Sequence, residues 1–213
     1  LKIERRFLAT DVAPVAVRGG EGDEPAHITG TAAVFHDPKD KGTEFELWPG
    51  VKERIKRGAF DKTVKDDDIR GLFNHNPDNV LGRTSADTMA LKTTKRGLDY
   101  DIEAADTSVA NDVRQHIVRK DVTGSSFGFI ATVERWIKED DFEIREIEEA
   151  QVFDVGPVTF PAYTATAAGV RSMGDATEAR ASYDAWKAEQ EPEETAGAGD
   201  RMRRMRLALA ERA

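Results

Sequence analysis

Ser126-Phe127-Gly128-Phe129-Ile130-Ala131-Thr132-Val133-Glu134-Arg135-Trp136-Ile137 and Phe142-Glu143-Ile144-Arg145-Glu146-Ile147 flank the polar tetrapeptide Lys138-Glu139-Asp140-Asp141. Two runs rich in β-branched and aromatic residues around a short polar turn predict a β-hairpin. Upstream, Asp121 to Gly124 reads as a turn. Before it, Asp106, Thr107 and Ser108 offer N-caps for a helix whose Val109, Val113 and Ile117 recur every four residues on one face. Gly97 to Ala104 alternates Leu98, Tyr100 and Ile102 against Asp99, Asp101 and Glu103, the pattern of a half-buried strand. Ile28 to Phe35 and Ile69 to Asn74 predict two more strands, the second with Ile69, Gly71 and Phe73 on one face. Val152 to Phe160 predicts a last one, broken at Gly156-Pro157. A short helix falls near Gly58 to Lys65. Many strands with few helices predict a mainly β chain with helices (α+β), a barrel or sandwich with helices packed outside.

The 213 residues carry 39% apolar and 33% charged side chains and a net charge of −9. This is a globular composition with an excess of charge, which points to a solvated part of the chain. Residues 173–213 change character: Tyr183 and Trp186 lie three apart in a helical stretch, Glu191 to Gly199 is a linker, and Arg201 to Leu209 is a basic segment. The expected organisation is therefore a domain over 1–172 and a tail over 173–213, either a solvated tail or a docking segment. An acidic chain is a poor match for phosphate contacts, so no nucleic-acid partner is expected. No run approaches the roughly 20 apolar residues that span a bilayer, and the opening octapeptide has no signal-like apolar core, so no membrane partner is expected either. The absence of cysteine excludes disulfides, thiolate metal sites and a cysteine nucleophile. The four histidines are scattered without close ligand spacing, so no metal and no cofactor is expected.

Three residues stand out chemically. His75 ends an apolar strand and precedes the turn signal Asn76-Pro77-Asp78, while His27, His36 and His116 have bland placements at a strand entrance, a turn and a polar helix face. Ser126 follows Gly124-Ser125 and opens the Phe-Gly-Phe strand. That is either turn chemistry with a glycine bulge or an exposed nucleophile, and a serine nucleophile needs an imidazole base with an orienting partner. Asp154 sits in the apolar run Val152 to Phe160. It faces either solvent, by alternation with Phe153 and Val155, or the interior, where a carboxylate requires a partner such as an imidazole N–H. The order His75, Ser126, Asp154 differs from the chymotrypsin-like, subtilisin-like and α/β-hydrolase orders, and there is no Gly-x-Ser-x-Gly elbow.

Several motifs then occur in register: Glu4-Arg5-Arg6-Phe7, Gly30 to Phe35, Arg57-Gly58-Ala59-Phe60, Leu72-Phe73-Asn74-His75-Asn76 with Leu81-Gly82-Arg83, Arg96 to Tyr100, Asp106-Thr107, Ser126-Phe127-Gly128-Phe129 and Val158-Thr159-Phe160-Pro161-Ala162. In this order and spacing, over residues 3–172, the chain resembles the prohead maturation proteases of tailed phages, serine peptidases related to herpesvirus assemblin. The resemblance implies a closed β-barrel surrounded by helices, with His75 as general base, Ser126 rather than Ser125 as nucleophile, and Asp154 as third member by position. No histidine follows Ser126, which excludes a His-Ser-His set. Asp154-Val155-Gly156-Pro157 departs from the acid-Val-Ser of many relatives. The Phe160 to Thr164 turn is a candidate oxyanion site.

The implied substrates are the major capsid protein and scaffold segments, with self-cleavage. The implied setting is the assembling prohead in the host cytoplasm, with portal or shell-interior contacts and a homo-oligomeric state, a dimer among the options. Two competing readings are a non-enzymatic scaffold or assembly protein of the same fold and an esterase or lipase.

Overall fold

The computed structural model describes residues 2–7, 14–20, 24–160 and 176–190. Contacts divide the chain into two units, Leu1–Glu178 and Ala179–Ala213. The expected linker over 191–199 and basic segment over 201–209 lie outside the described residues, as do residues 161–164 of the candidate oxyanion turn. In the first unit the elements run β1 (Glu4–Phe7), β2 (Ala16–Gly19), β3 (Ala26–Val34), β4 (Phe45–Trp48), β5 (Val51–Ile55), α1 (Asp61–Asp66), β6 (Arg70–Leu72), β7 (Val80–Arg83), β8 (Met89–Thr93), β9 (Gly97–Glu103), α2 (Ser108–Arg119), β10 (Gly124–Glu139) and β11 (Phe142–Val158). No helix among the described residues is long and apolar enough to cross a membrane.

The β10–β11 hairpin organises the molecule. It turns at Asp140-Asp141, with Asp140 at φ 52°, a left-handed conformation that Asp tolerates in tight hairpins. Strand β11 is longer than the sequence suggests and absorbs the separate last strand: Gly156 pairs with Ser126 and Pro157 with Ser125 without interruption. The proline fits because pairing with β6 ends at Val155, and the Pro157 carbonyl instead accepts the Asn74 N–H at 3.1 Å. Strand order in the larger sheet is β1-β10-β11-β5-β4, with β6 on β11 and β7 on β6; the smaller sheet is β2-β3-β9-β8.

The expected closed barrel is not what forms. Both sheets are open. Closure would require a ladder between end strands, but β1 and β4, four residues each, pair only with β10 and β5, and β2 and β8 end the smaller sheet. The sheets instead pack face to face, as the Tyr100 hydroxyl in β9 and the Ser125 hydroxyl in β10 show by meeting at 2.8 Å across the interface. The mainly β character, with three α-helices among the described residues, stands.

The core follows from the alternation. Phe127 and Phe129 stack at 4.8 Å, Phe60 meets Phe127 edge-on at 5.8 Å, and Phe35 lies 5.7 Å from Phe60. Helix α2 begins at Thr107, whose hydroxyl accepts from the Ala110 N–H at 3.2 Å, and buries Ala110, Val113 and Ile117. Helix α3 (Thr177–Gln190) carries Tyr183 and Trp186, both in the second unit, with ring centroids 6.1 Å apart.

A buried ionic cluster ties β1 to the hairpin. Arg6 donates to both Glu53 oxygens, at 2.6 and 2.8 Å, and to Glu4 at 2.8 Å. Arg145 donates to Glu53 at 2.9 Å and to Glu4 at 2.8 and 2.9 Å. All four side chains are almost wholly buried, and their charges cancel. Burial pushes the Glu53 carboxyl up, but the guanidinium groups of Arg6 and Arg145 outweigh it and hold it below its ordinary 4.5. Because the folded chain binds this proton less tightly than the unfolded one, the contribution is complete above pH 4.5 and is lost as pH falls through the depressed value. Glu53→Gln leaves guanidinium charge buried without its counterion and is expected to destabilise by about 3–5 kcal/mol at neutral pH. Urea unfolding at pH 7 and pH 4 checks this: the variant should lose stability at pH 7 and show a flatter pH dependence below 4.5 than wild type.

Candidate active site

The hairpin base determines which side chains meet. Successive side chains of a strand point to opposite faces. In Ser125-Ser126-Phe127-Gly128-Phe129, Phe127 and Phe129 enter the core, and Ser125 shares their side, bonded to Tyr100. Ser126 and Gly128 share the other side. Asp154 lies directly across from Gly128, and Phe153 is the extra residue of a bulge at the Gly128–Phe129 step. A Cβ on Gly128 would come within 2.9 Å of both Asp154 carboxylate oxygens, so only glycine leaves room for the carboxylate there. The bulge accounts for the failure of simple alternation at Asp154, which is 7% exposed while Phe153 is half-buried.

His75 comes from the turn between β6 and β7. Asn74 and His75 are both left-handed, at φ 56° and 55°, so β6 stops at Leu72 rather than at Asn74. The imidazole Nδ1 lies 2.6 Å from Asp154 Oδ2 and 3.1 Å from Oδ1, and Nε2 lies 2.6 Å from Ser126 Oγ. A carboxylate only accepts, so Nδ1 carries the proton and Nε2 presents its lone pair to the hydroxyl. Ser126 Oγ also lies 2.9 Å from the Arg6 carbonyl of β1, a second acceptor for its single proton, and the Phe7 ring packs edge-on against His75 at 5.7 Å. Ser126 is fully buried. The three residues singled out in the sequence are thus brought into one chain of hydrogen bonds, Ser126–His75–Asp154.

The sequence matches the family described as caudovirus prohead serine protease over residues 14–180. The chain belongs to that family. The resemblance read from the sequence is borne out. No curated protein and no solved structure matches the chain.

The other three histidines of this prohead protease family member do not join the set. His27 Nδ1 lies 2.6 Å from Asp101 and His116 Nδ1 3.4 Å from Asp121. His36 is held below its ordinary value by burial and by Arg54. Glu148 and Glu149, acidic residues just upstream of Asp154 in the same strand, receive Lys56 at 2.7 Å and Lys62 at 3.1 Å. Among the described residues no cluster of His, Asp or Glu has the disposition of a metal site. What sequence reasoning missed is that Glu4 to Phe7 forms a strand, β1, whose backbone touches Ser126 and whose Phe7 touches His75.

Burial pushes the Tyr100 hydroxyl far above its ordinary value, only partly offset by the bond to Ser125. Ser125→Ala therefore leaves a buried hydroxyl unpaired. It is expected to cost about 1–3 kcal/mol of stability while leaving proteolysis nearly unchanged, measured as chemical denaturation beside cleavage of a co-expressed partner.

Proposed function

We propose that the chain is a serine endopeptidase of capsid maturation in which Ser126 is the nucleophile, His75 the general base and acid, and Asp154 the group that orients His75. The supporting observation is the imidazole held at 2.6 Å from both Ser126 Oγ and Asp154 Oδ2. In this reading Oγ attacks the carbonyl carbon of a peptide bond as its proton passes to Nε2. The tetrahedral adduct collapses, the C–N bond breaks and His75 delivers the proton to the leaving amine. Water, deprotonated by the same imidazole, then hydrolyses the acyl-enzyme. Asp154 keeps Nδ1 protonated throughout and stabilises the imidazolium. Backbone N–H groups must receive the oxyanion.

The substrates in this reading are N-terminal segments of the major capsid protein and of scaffold, and the chain itself. The setting is the assembling prohead in the host cytoplasm, with the protease present as a homo-oligomer. Family membership supports the class of reaction and the capsid setting. Co-expression with the neighbouring capsid and scaffold proteins, read by intact mass, tests it: wild type should shorten a partner or itself and Ser126→Ala should not. Identical masses in the two would contradict it.

A further inference from the structure

The catalytic reading leaves one question of geometry. His75 is presented from a turn, not from a strand, and its backbone is in a region that L-residues seldom occupy. Two consecutive left-handed residues, Asn74 and His75, cost about 1–3 kcal/mol each and persist only where neighbouring contacts over-determine them. The contacts that do so converge on Asn74. Its side-chain Nδ2 donates to Thr159 Oγ1 at 2.9 Å, its Oδ1 accepts the Thr159 N–H at 2.8 Å, and its own N–H donates to the Pro157 carbonyl at 3.1 Å. The Thr159 N–H fixes which end of the amide is oxygen.

These three bonds join the His75 turn to Pro157 in β11 and to Thr159 just past its end, three and five residues beyond Asp154. The close approach depends on Gly156, at φ 157°, where a Cβ would stand 2.1 Å from the Leu72 carbonyl oxygen. The same strand thus carries Asp154, which binds the imidazole, and the anchor that sets the backbone from which the imidazole projects.

We infer that Asn74 is a positioning residue: through its paired bonds to Thr159 it holds the His75 turn at the distance from β11 at which the imidazole bridges Ser126 and Asp154. The inference rests on the catalytic reading of those three residues. Asparagine suits the position twice over, since its short polar side chain tolerates the left-handed region and supplies both a donor and an acceptor. Asn74→Ala removes the clamp and strains the backbone. Asn74→Gly removes the clamp but relieves the strain. Asn74→Asp keeps left-handed tolerance and can accept from both the Thr159 N–H and its hydroxyl.

The test uses the full chain and a fluorophosphonate probe, with the maximal inactivation rate separated from half-saturation. The proton NMR resonance of the His75 Nδ1–H is followed in parallel. Asn74→Ala and Asn74→Gly are both expected to lower the maximal rate by roughly tenfold to a hundredfold, with half-saturation within about twofold, and to weaken or shift the Nδ1–H resonance. Asn74→Asp should recover most of the loss. Thr159→Ala, which removes only the hydroxyl, should move both readouts in the same direction by less.

Full recovery in Asn74→Gly would reduce the role of Asn74 to backbone conformation and overturn the clamp. So would an unmoved Nδ1–H resonance with a wild-type rate in Asn74→Ala. A wild-type protein that takes no probe on Ser126, with the resonance still shifting in Asn74→Ala, would retain the positioning role and defeat the peptidase reading instead.

Discussion

Ser126→Ala is expected to abolish proteolysis while the protein still folds. The hydroxyl is the atom that attacks, and a lost serine nucleophile lowers turnover by on the order of 10⁶, because base and orienting carboxylate have nothing left to activate. The structural effect is small by comparison. Removing Oγ leaves His75 Nε2 and the Arg6 carbonyl each short of one contact, made at 2.6 and 2.9 Å in wild type. A missing buried partner costs about 1–3 kcal/mol, so the thermal transition should fall by a few degrees and stay cooperative. The checks are intact masses of co-expressed partners and a thermal melt. Full processing by Ser126→Ala would remove Ser126 from the mechanism.

Asp154→Asn is expected to fold and to lose most of its rate, by roughly 10⁴. The replacement is isosteric and fits beside Gly128 as the carboxylate does. Its effect is on the proton. A carboxylate can only accept, so it requires Nδ1–H and leaves Nε2 free to take the serine proton. An amide can donate to Nδ1 from its NH₂ group, which stabilises the tautomer with the proton on Nε2, facing Ser126 where the lone pair is needed. Steady-state cleavage of a mapped partner segment measures the loss. Wild-type turnover in this variant would take the orienting role from Asp154. Glu148 and Glu149 would not inherit it without rearrangement, since they are turned to Lys56 and Lys62.

The sequence was most informative where local pattern and burial agree. The alternation from Gly97 to Ala104 and the four-residue spacing of Val109, Val113 and Ile117 reappear as β9 and α2, and the polar turn Lys138 to Asp141 reappears as a hairpin whose strands pair up to Glu139 and Phe142. Ser126 was legible from the Phe-Gly-Phe strand it opens and His75 from the turn signal that follows it, although the expected strand end is itself part of the turn, since β6 stops at Leu72. Asp154 was ambiguous because the decisive feature, the bulge at Phe153, depends on the partner strand, and register is not a local property.

The same limit hid β1. Glu4-Arg5-Arg6-Phe7 does not read as a buried strand, because Glu4 and Arg6 are buried only where Glu53 and Arg145, distant in sequence, neutralise them, while Arg5 stays exposed. Sheet closure was not legible either. It depends on whether end strands meet, and short β1 and β4 do not form a ladder that closes the larger sheet.

The central claim is that Ser126, activated by His75, forms the covalent intermediate. Its most direct test is to treat the full chain with a fluorophosphonate and map the adduct by tandem mass spectrometry. The account predicts one stable adduct on Ser126, absent from His75→Ala and from protein unfolded in urea. An adduct on Ser125 or another serine with Ser126 unmodified, or partner cleavage that continues in protein whose Ser126 is fully modified, would contradict it.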